Sequence, residues 1–162
     1  MSVTDGLVEN NRAYAASFDK HDLPRAPAKK LAVVACMDAR LDPARVLGLE
    51  EGDAHVMRNA GGVVTDSEIR DLAISQHALG TEEVLVLQHT DCGMATLDAE
   101  EFANRLEQAS GERPPWRANA FDDLDSSVRD SMRRIQESPF IPHKTVRGFV
   151  FDVKTGALRE VT

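Results

Sequence analysis

Leu31-Ala-Val-Val-Ala-Cys36-Met-Asp38-Ala-Arg40 begins with six apolar residues in an unbroken run and closes in a polar cluster. Six residues is strand length, and an uninterrupted apolar run of that length marks a strand buried on both faces, as in a parallel sheet. A second stretch repeats the arrangement: Val84-Leu-Val-Leu-Gln88 runs into His89-Thr-Asp-Cys92-Gly93. The two cysteines of the chain, Cys36 and Cys92, therefore stand at or just beyond the ends of two expected strands.

Outward from these runs, strand and helix patterns alternate, which predicts an α/β fold. Asp42-Pro43 is a cap followed by proline at a first helical position, and Gly48 stops that short helix. Residues 54–57 read as a strand ending at Arg58-Asn59-Ala60-Gly61-Gly62. Asp66 or Ser67 starts a helix with Ile69, Leu72, Ala73 and Leu79 on its core-facing stripe, ended by Gly80. Residues 98–109, with Glu101 in a capping box, and residues 122–137 read as two more helices. Residues 146–153 and 158–161 read as strands around a turn at Lys154-Thr155-Gly156. The sum is a mainly parallel central sheet of about four parallel strands plus one antiparallel edge strand, flanked by helices. If consecutive right-handed crossovers place the second strand on one side of the first and the third on the other, the order reverses between strands one and three. Ligands of open α/β sheets bind at the carboxyl ends beside such a reversal, where Cys36, His89 and Cys92 fall.

At 162 residues the chain is expected to form a single domain, residues 1–162, with a core large enough to fold without staples. Residues 31–162 form the α/β core. Residues 1–30 are an N-terminal helical arm, capped by Thr4 or Asp5 and carrying Leu7, Tyr14 and Phe18, with a connector broken by Pro24 and Pro27. No stretch approaches the roughly 20 apolar residues of a membrane span. The net charge of -8 argues against a nucleic-acid surface. The N-terminal residues carry no signal-peptide pattern, so a cytoplasmic location is expected, where cysteines serve as thiols, ligands or catalysts more often than as a disulfide.

Two thiols and an imidazole are a donor set suited to zinc, which in catalytic sites takes three protein ligands and leaves a fourth position for water or substrate. Cys36, His89 and Cys92 supply that set. In an extended strand end, residues 36, 38 and 40 face one side, so Asp38 stands beside the metal and Arg40 beside Asp38. A carboxylate there either takes the fourth metal position or pairs with Arg40 and accepts a hydrogen bond from the water. A bridge between the two cysteines, or a nucleophilic cysteine, is the competing reading, but no phosphate-binding glycine loop follows any expected strand.

Cys36-Met-Asp38-Ala-Arg40 and His89-Thr-Asp-Cys92-Gly93, with the intervening Arg58-Asn59-Ala60-Gly61-Gly62 and the closing strand-turn-strand, resemble the β-class carbonic anhydrases of short bacterial type, from about Leu31 to the C-terminus. The resemblance implies a zinc lyase, a carbonate dehydratase that reversibly hydrates carbon dioxide to bicarbonate and a proton by attack of a zinc-bound hydroxide. It implies one zinc per chain on Cys36, His89 and Cys92, with Asp38 and Arg40 as the catalytic pair and Asp38 a further ligand in a closed form only. It also implies a homodimer, or a dimer-based oligomer, wrapped by the N-terminal arms. Gly61 and Gly62 line the substrate or form a tight turn, and His55, His77 and His143 are candidates for proton transfer. Alternatives on the same residues are a carbon disulfide or carbonyl sulfide hydrolase, and a non-catalytic zinc or bicarbonate-binding protein closed by Asp38. A regulatory bicarbonate pocket known in part of the family uses a tryptophan before the first cysteine motif; Val33 and Val34 stand there, and Trp116 is the only tryptophan, so that pocket is not expected.

Overall fold

The apolar run forms β1, Leu31–Cys36, in a computed structural model whose described residues are 2–162. Met1, the first residue of the expected arm, lies outside them. β1 is buried from its second residue to its last, as a strand covered on both faces should be. β2 (Ala54–Asn59), β3 (Glu83–His89), β4 (Thr145–Phe151) and β5 (Leu158–Val161) complete one sheet in the order β2-β1-β3-β4-β5. Pairing is parallel from β2 through β4, and β5 is the antiparallel edge strand. The order reverses between β1 and β3, as expected.

The described residues form five α-helices, α1 (Val3–Ala16), α2 (Pro43–Leu47), α3 (Asp66–Leu79), α4 (Ala99–Ser110) and α5 (Leu124–Glu137), of which α2, α3 and α5 pack on the sheet. Right-handed crossovers dictate their faces. The chain steps one way from β1 to β2 through α2, then back across β1 to β3 through α3 and on to β4 through α5, so α2 lies on one face and α3 and α5 on the other. The side chains divide accordingly. Ala32, Val34, Val84 and Val86 pack with Ile69 and Leu72 of α3 and Val128 and Ile135 of α5. Val33, Ala35 and Leu87 pack with Val46 and Leu47 of α2. Each fully buried valine, Val33, Val34 and Val86 among them, stabilises the fold by about 1.5–3 kcal/mol through removal from water.

α3 starts at Asp66, as expected, and is capped by Thr65, which with Glu68 satisfies two free backbone donors. α1 starts earlier than the sequence expectation, because Ser2, boxed with Asp5, takes the cap in place of Thr4. At α4 the Asp98 carboxylate takes the amides of Glu100 and Glu101, so Glu101 contributes its backbone rather than its side chain. α1 buries none of its side chains; Leu7, Val8 and Tyr14 stay half exposed or more, and its link to the body runs from the Tyr14 hydroxyl to Glu51. Among the described residues no helix is long and apolar enough to cross a membrane.

Candidate metal centre

Parallel register sets the carboxyl ends of β1 and β3 side by side, and the two motifs meet there. Cys36 is the last residue of β1, His89 the last of β3, and Cys92 follows after a turn in which Asp91 is left-handed. The two sulfurs are 4.0 Å apart, and the sulfur and ring-nitrogen donors of Cys36, His89 and Cys92 all lie within 4.8 Å of one another. All three residues are buried.

This arrangement fits a metal ion. Two sulfurs on a tetrahedral zinc with ordinary bond lengths stand about 3.8 Å apart, close to the separation observed. The His89 ring is oriented for it: Nδ1 donates to the Thr90 carbonyl at 2.8 Å, which leaves Nε2 as the unprotonated nitrogen facing the sulfurs. Nε2 is buried without a hydrogen-bond partner, a costly state for a polar atom unless a ligand completes it. Burial pushes the Cys36 thiol up, but the adjacent His89 ring and the backbone amides of Asp38 and Gly61 outweigh it and bring the group down to about 7. Burial moves Cys92 the other way, upward, with the neighbouring Cys36 charge adding to it. One sulfur is thus readily ionised and the other keeps its proton until a cation compensates it.

Asp38 stands over this cluster with Oδ2 3.7 Å from His89 Nε2. It does not reach Arg40 by strand alternation, as the spacing suggests, because β1 ends at Cys36 and the chain turns at Ala39-Arg40. The turn brings the Arg40 amide to Asp38 Oδ1 at 2.8 Å, while the guanidinium grips both oxygens, Nε to Oδ1 at 3.0 Å and Nη2 to Oδ2 at 2.8 Å. Those side-chain and backbone bonds from Arg40 hold the Asp38 carboxyl well below the usual carboxylate range.

Gly62 lies wedged between strands: a Cβ there would come within 2.7 Å of the Cys36 amide nitrogen and 2.9 Å of the Leu87 carbonyl. Gly61 faces Phe121 and Met94. Beside the cluster, Met37, Met94, Leu97, Phe102 and Trp116 line an apolar recess of about 500 Å³. The structure does not bring the other candidate histidines here. His55 pairs in register with Ala32, four residues before Cys36, and bonds Ser75; His77 bonds the Phe140 carbonyl; His143 is tied through its backbone to Gln76.

A sequence model of the carbonic anhydrase family matches residues 31–158. Over its whole length the chain is 53% identical to β-carbonic anhydrase 1 of Mycobacterium tuberculosis, 99% of which is covered. The chain belongs to the β-class carbonic anhydrases. Its backbone superposes on a carbonic anhydrase crystal structure from Streptococcus mutans with a TM-score of 0.94, at 42% identity, covering 100% of this chain and 99% of that one. A carbon disulfide hydrolase of Acidithiobacillus thiooxidans is 33% identical across 81% of this chain and 76% of its own.

Two residues of this β-class enzyme support the site in ways its sequence pattern does not announce. Arg58, on β2, donates to the carbonyls of Cys36, Asp38 and Leu41, pinning the loop that carries Asp38 and Arg40. Asp91 receives Arg40 Nη1 at 2.7 Å. The available signals were an arginine near the end of β2 and an acid set between His89 and Cys92, neither of which identifies its partner.

Proposed function

We propose that the chain catalyses the reversible hydration of carbon dioxide to bicarbonate and a proton, with one zinc ion held by Cys36, His89 and Cys92. The observation that carries this reading is the Asp38–Arg40 fork standing over a buried cluster of two sulfurs and an orphaned imidazole nitrogen. Zinc, when bound, supplies a positive charge that acidifies water into a nucleophile at neutral pH. The chain's residues do the rest. Asp38, ionised throughout the working range, keeps a lone pair on Oδ2 beyond its Arg40 bond and accepts a hydrogen bond from the attacking water, aiming the water's lone pair at the substrate carbon. Arg40 holds Asp38 in that orientation; for Asp38 to become a ligand itself, three hydrogen bonds from Arg40 would have to break. The recess, whose exposed lining is mostly apolar with Glu68 and Arg117 also at its wall, offers a neutral linear substrate an approach. Gly61 and Gly62 act by giving backbone close approach, Gly62 beneath Cys36 and Gly61 beside the recess.

The test is stopped-flow carbon dioxide hydration on protein of measured zinc content, with hydrogen sulfide release from carbon disulfide run in parallel because the family includes hydrolases of that substrate. One zinc per chain with hydration far exceeding any sulfide release supports the reading; zinc-loaded protein that hydrates nothing at any pH overturns it.

The same reading pairs two copies through α1, whose exposed Leu7, Val8 and Tyr14, followed by Phe18, form an apolar surface that the chain's own core leaves uncovered. Sedimentation of the full chain is expected at twice its 17.8 kDa mass, and deletion of residues 2–18 is expected to shift the protein to monomer. A truncated chain that remains dimeric removes the arm from the interface.

A further inference from the structure

Arg40 is held on both edges, and only one edge belongs to Asp38. From the other side Nη1 donates to Asp91 Oδ2 at 2.7 Å and Nη2 to the Asp91 backbone carbonyl at 2.9 Å. One residue offers both acceptors to one guanidinium because Asp91 is left-handed, with φ 55°, a conformation that aspartate and asparagine tolerate better than other side chains. Four donor contacts therefore fix the plane of Arg40 between the turn after β1 and the turn after β3.

We propose that Asp91 is a positioning residue for the Asp38–Arg40 pair: it fixes the guanidinium plane so that the fork of Arg40 faces Asp38 and holds the carboxylate away from the metal cluster. The inference rests on the zinc reading above and adds the device that keeps the fourth position open. Asp38 Oδ2 is already 3.7 Å from His89 Nε2, so a modest swing would bring it to the metal. Arg40 alone is a poor restraint, being half exposed on a flexible stem. The Asp91 side chain is 72% exposed, and an exposed ion pair adds little to global stability. Its contribution is orientation.

Two substitutions separate these effects. Asp91→Asn keeps an acceptor oxygen and tolerance of the left-handed backbone; Asp91→Gly keeps the backbone and removes the acceptor. In the zinc-loaded full chain Asp91→Gly is expected to lower kcat for hydration about 10-fold, the lower end of what loss of a group supporting a metal site does, with the melting temperature nearly unchanged. Crystal structures should then show Asp38 released from the fork and turned to the metal, while Asp91→Asn keeps the fork and a near wild-type rate. Should Asp91→Gly not fold, Asp91→Ser, whose hydroxyl is too short to reach Nη1, serves in its place. An acceptor-free variant with wild-type kcat and an intact fork overturns the proposal, as does an equal loss in Asn and Gly variants that both melt early. Structures of the metal-free variants read the fork without activity, so an inactive wild type would sink the zinc reading while the role of Asp91 is still decided.

Discussion

Cys36→Ser is expected to leave a folded chain that carries no zinc and hydrates carbon dioxide at least about 10³-fold more slowly, since the acidified water is the source of the nucleophile. The sulfur is one of three donors, and a serine hydroxyl is shorter, harder and far less acidic than a thiol, so the substitution removes a ligand rather than exchanging one. The fold should survive because the hydroxyl can take over the backbone amide contacts of Asp38 and Gly61 that the sulfur now receives. Linkage supplies a second readout: a ligand that binds only the native state raises the melting temperature, so zinc should stabilise the metal-free wild type and leave Cys36→Ser where it was. A variant that keeps one zinc per chain and the wild-type rate would remove Cys36 from the site.

Residues 31–36 and 84–88 were legible as strands because a strand buried on both faces is apolar at nearly every position, Gln88 being the one polar residue of the two runs. The meeting of Cys36 with His89 and Cys92 followed from one topological step, the reversal between β1 and β3. The contacts of Arg58 and Asp91 were not legible. Arg58 acts on carbonyls up to 22 residues away and Asp91 on a side chain 51 residues away, and backbone acceptors carry no side-chain signature in a sequence. The Asp38–Arg40 bond was anticipated for the wrong geometric reason: alternation assumed that the strand continued, whereas a turn delivers the Arg40 amide as well as its guanidinium. The start of α1 slipped by two or three residues because capping competes locally between Ser2 and Thr4 or Asp5, and the box that Ser2 forms with Asp5 decides it, whereas α3 begins at Asp66 as read.

Gly62→Ala is expected to be the most destabilising single-methyl change at the site, by about 2–5 kcal/mol from the sum of a left-handed backbone penalty and overpacking. Its φ is 64°, and the added Cβ would press on the Cys36 amide nitrogen at 2.7 Å and the Leu87 carbonyl at 2.9 Å. These are backbone atoms of two adjacent strands, so no side chain can rotate to relieve the contact and the carboxyl end of β1 must shift. Gly48→Ala provides the control: φ is 65° there, but the new methyl meets nothing within 4 Å, so it carries the conformational penalty alone. At about 2–4 °C per kcal/mol for a chain of this size, Gly62→Ala should melt about 10 °C below wild type and Gly48→Ala only a few degrees below. The difference between the two measures the contact. Because the displaced atom is the amide of Cys36, the chain that still folds should also bind zinc more weakly, whereas Gly48→Ala should bind it normally. Equal melting temperatures for the two variants would mean that the strands part freely at Gly62, and that the close approach seen there places no constraint on the cysteine.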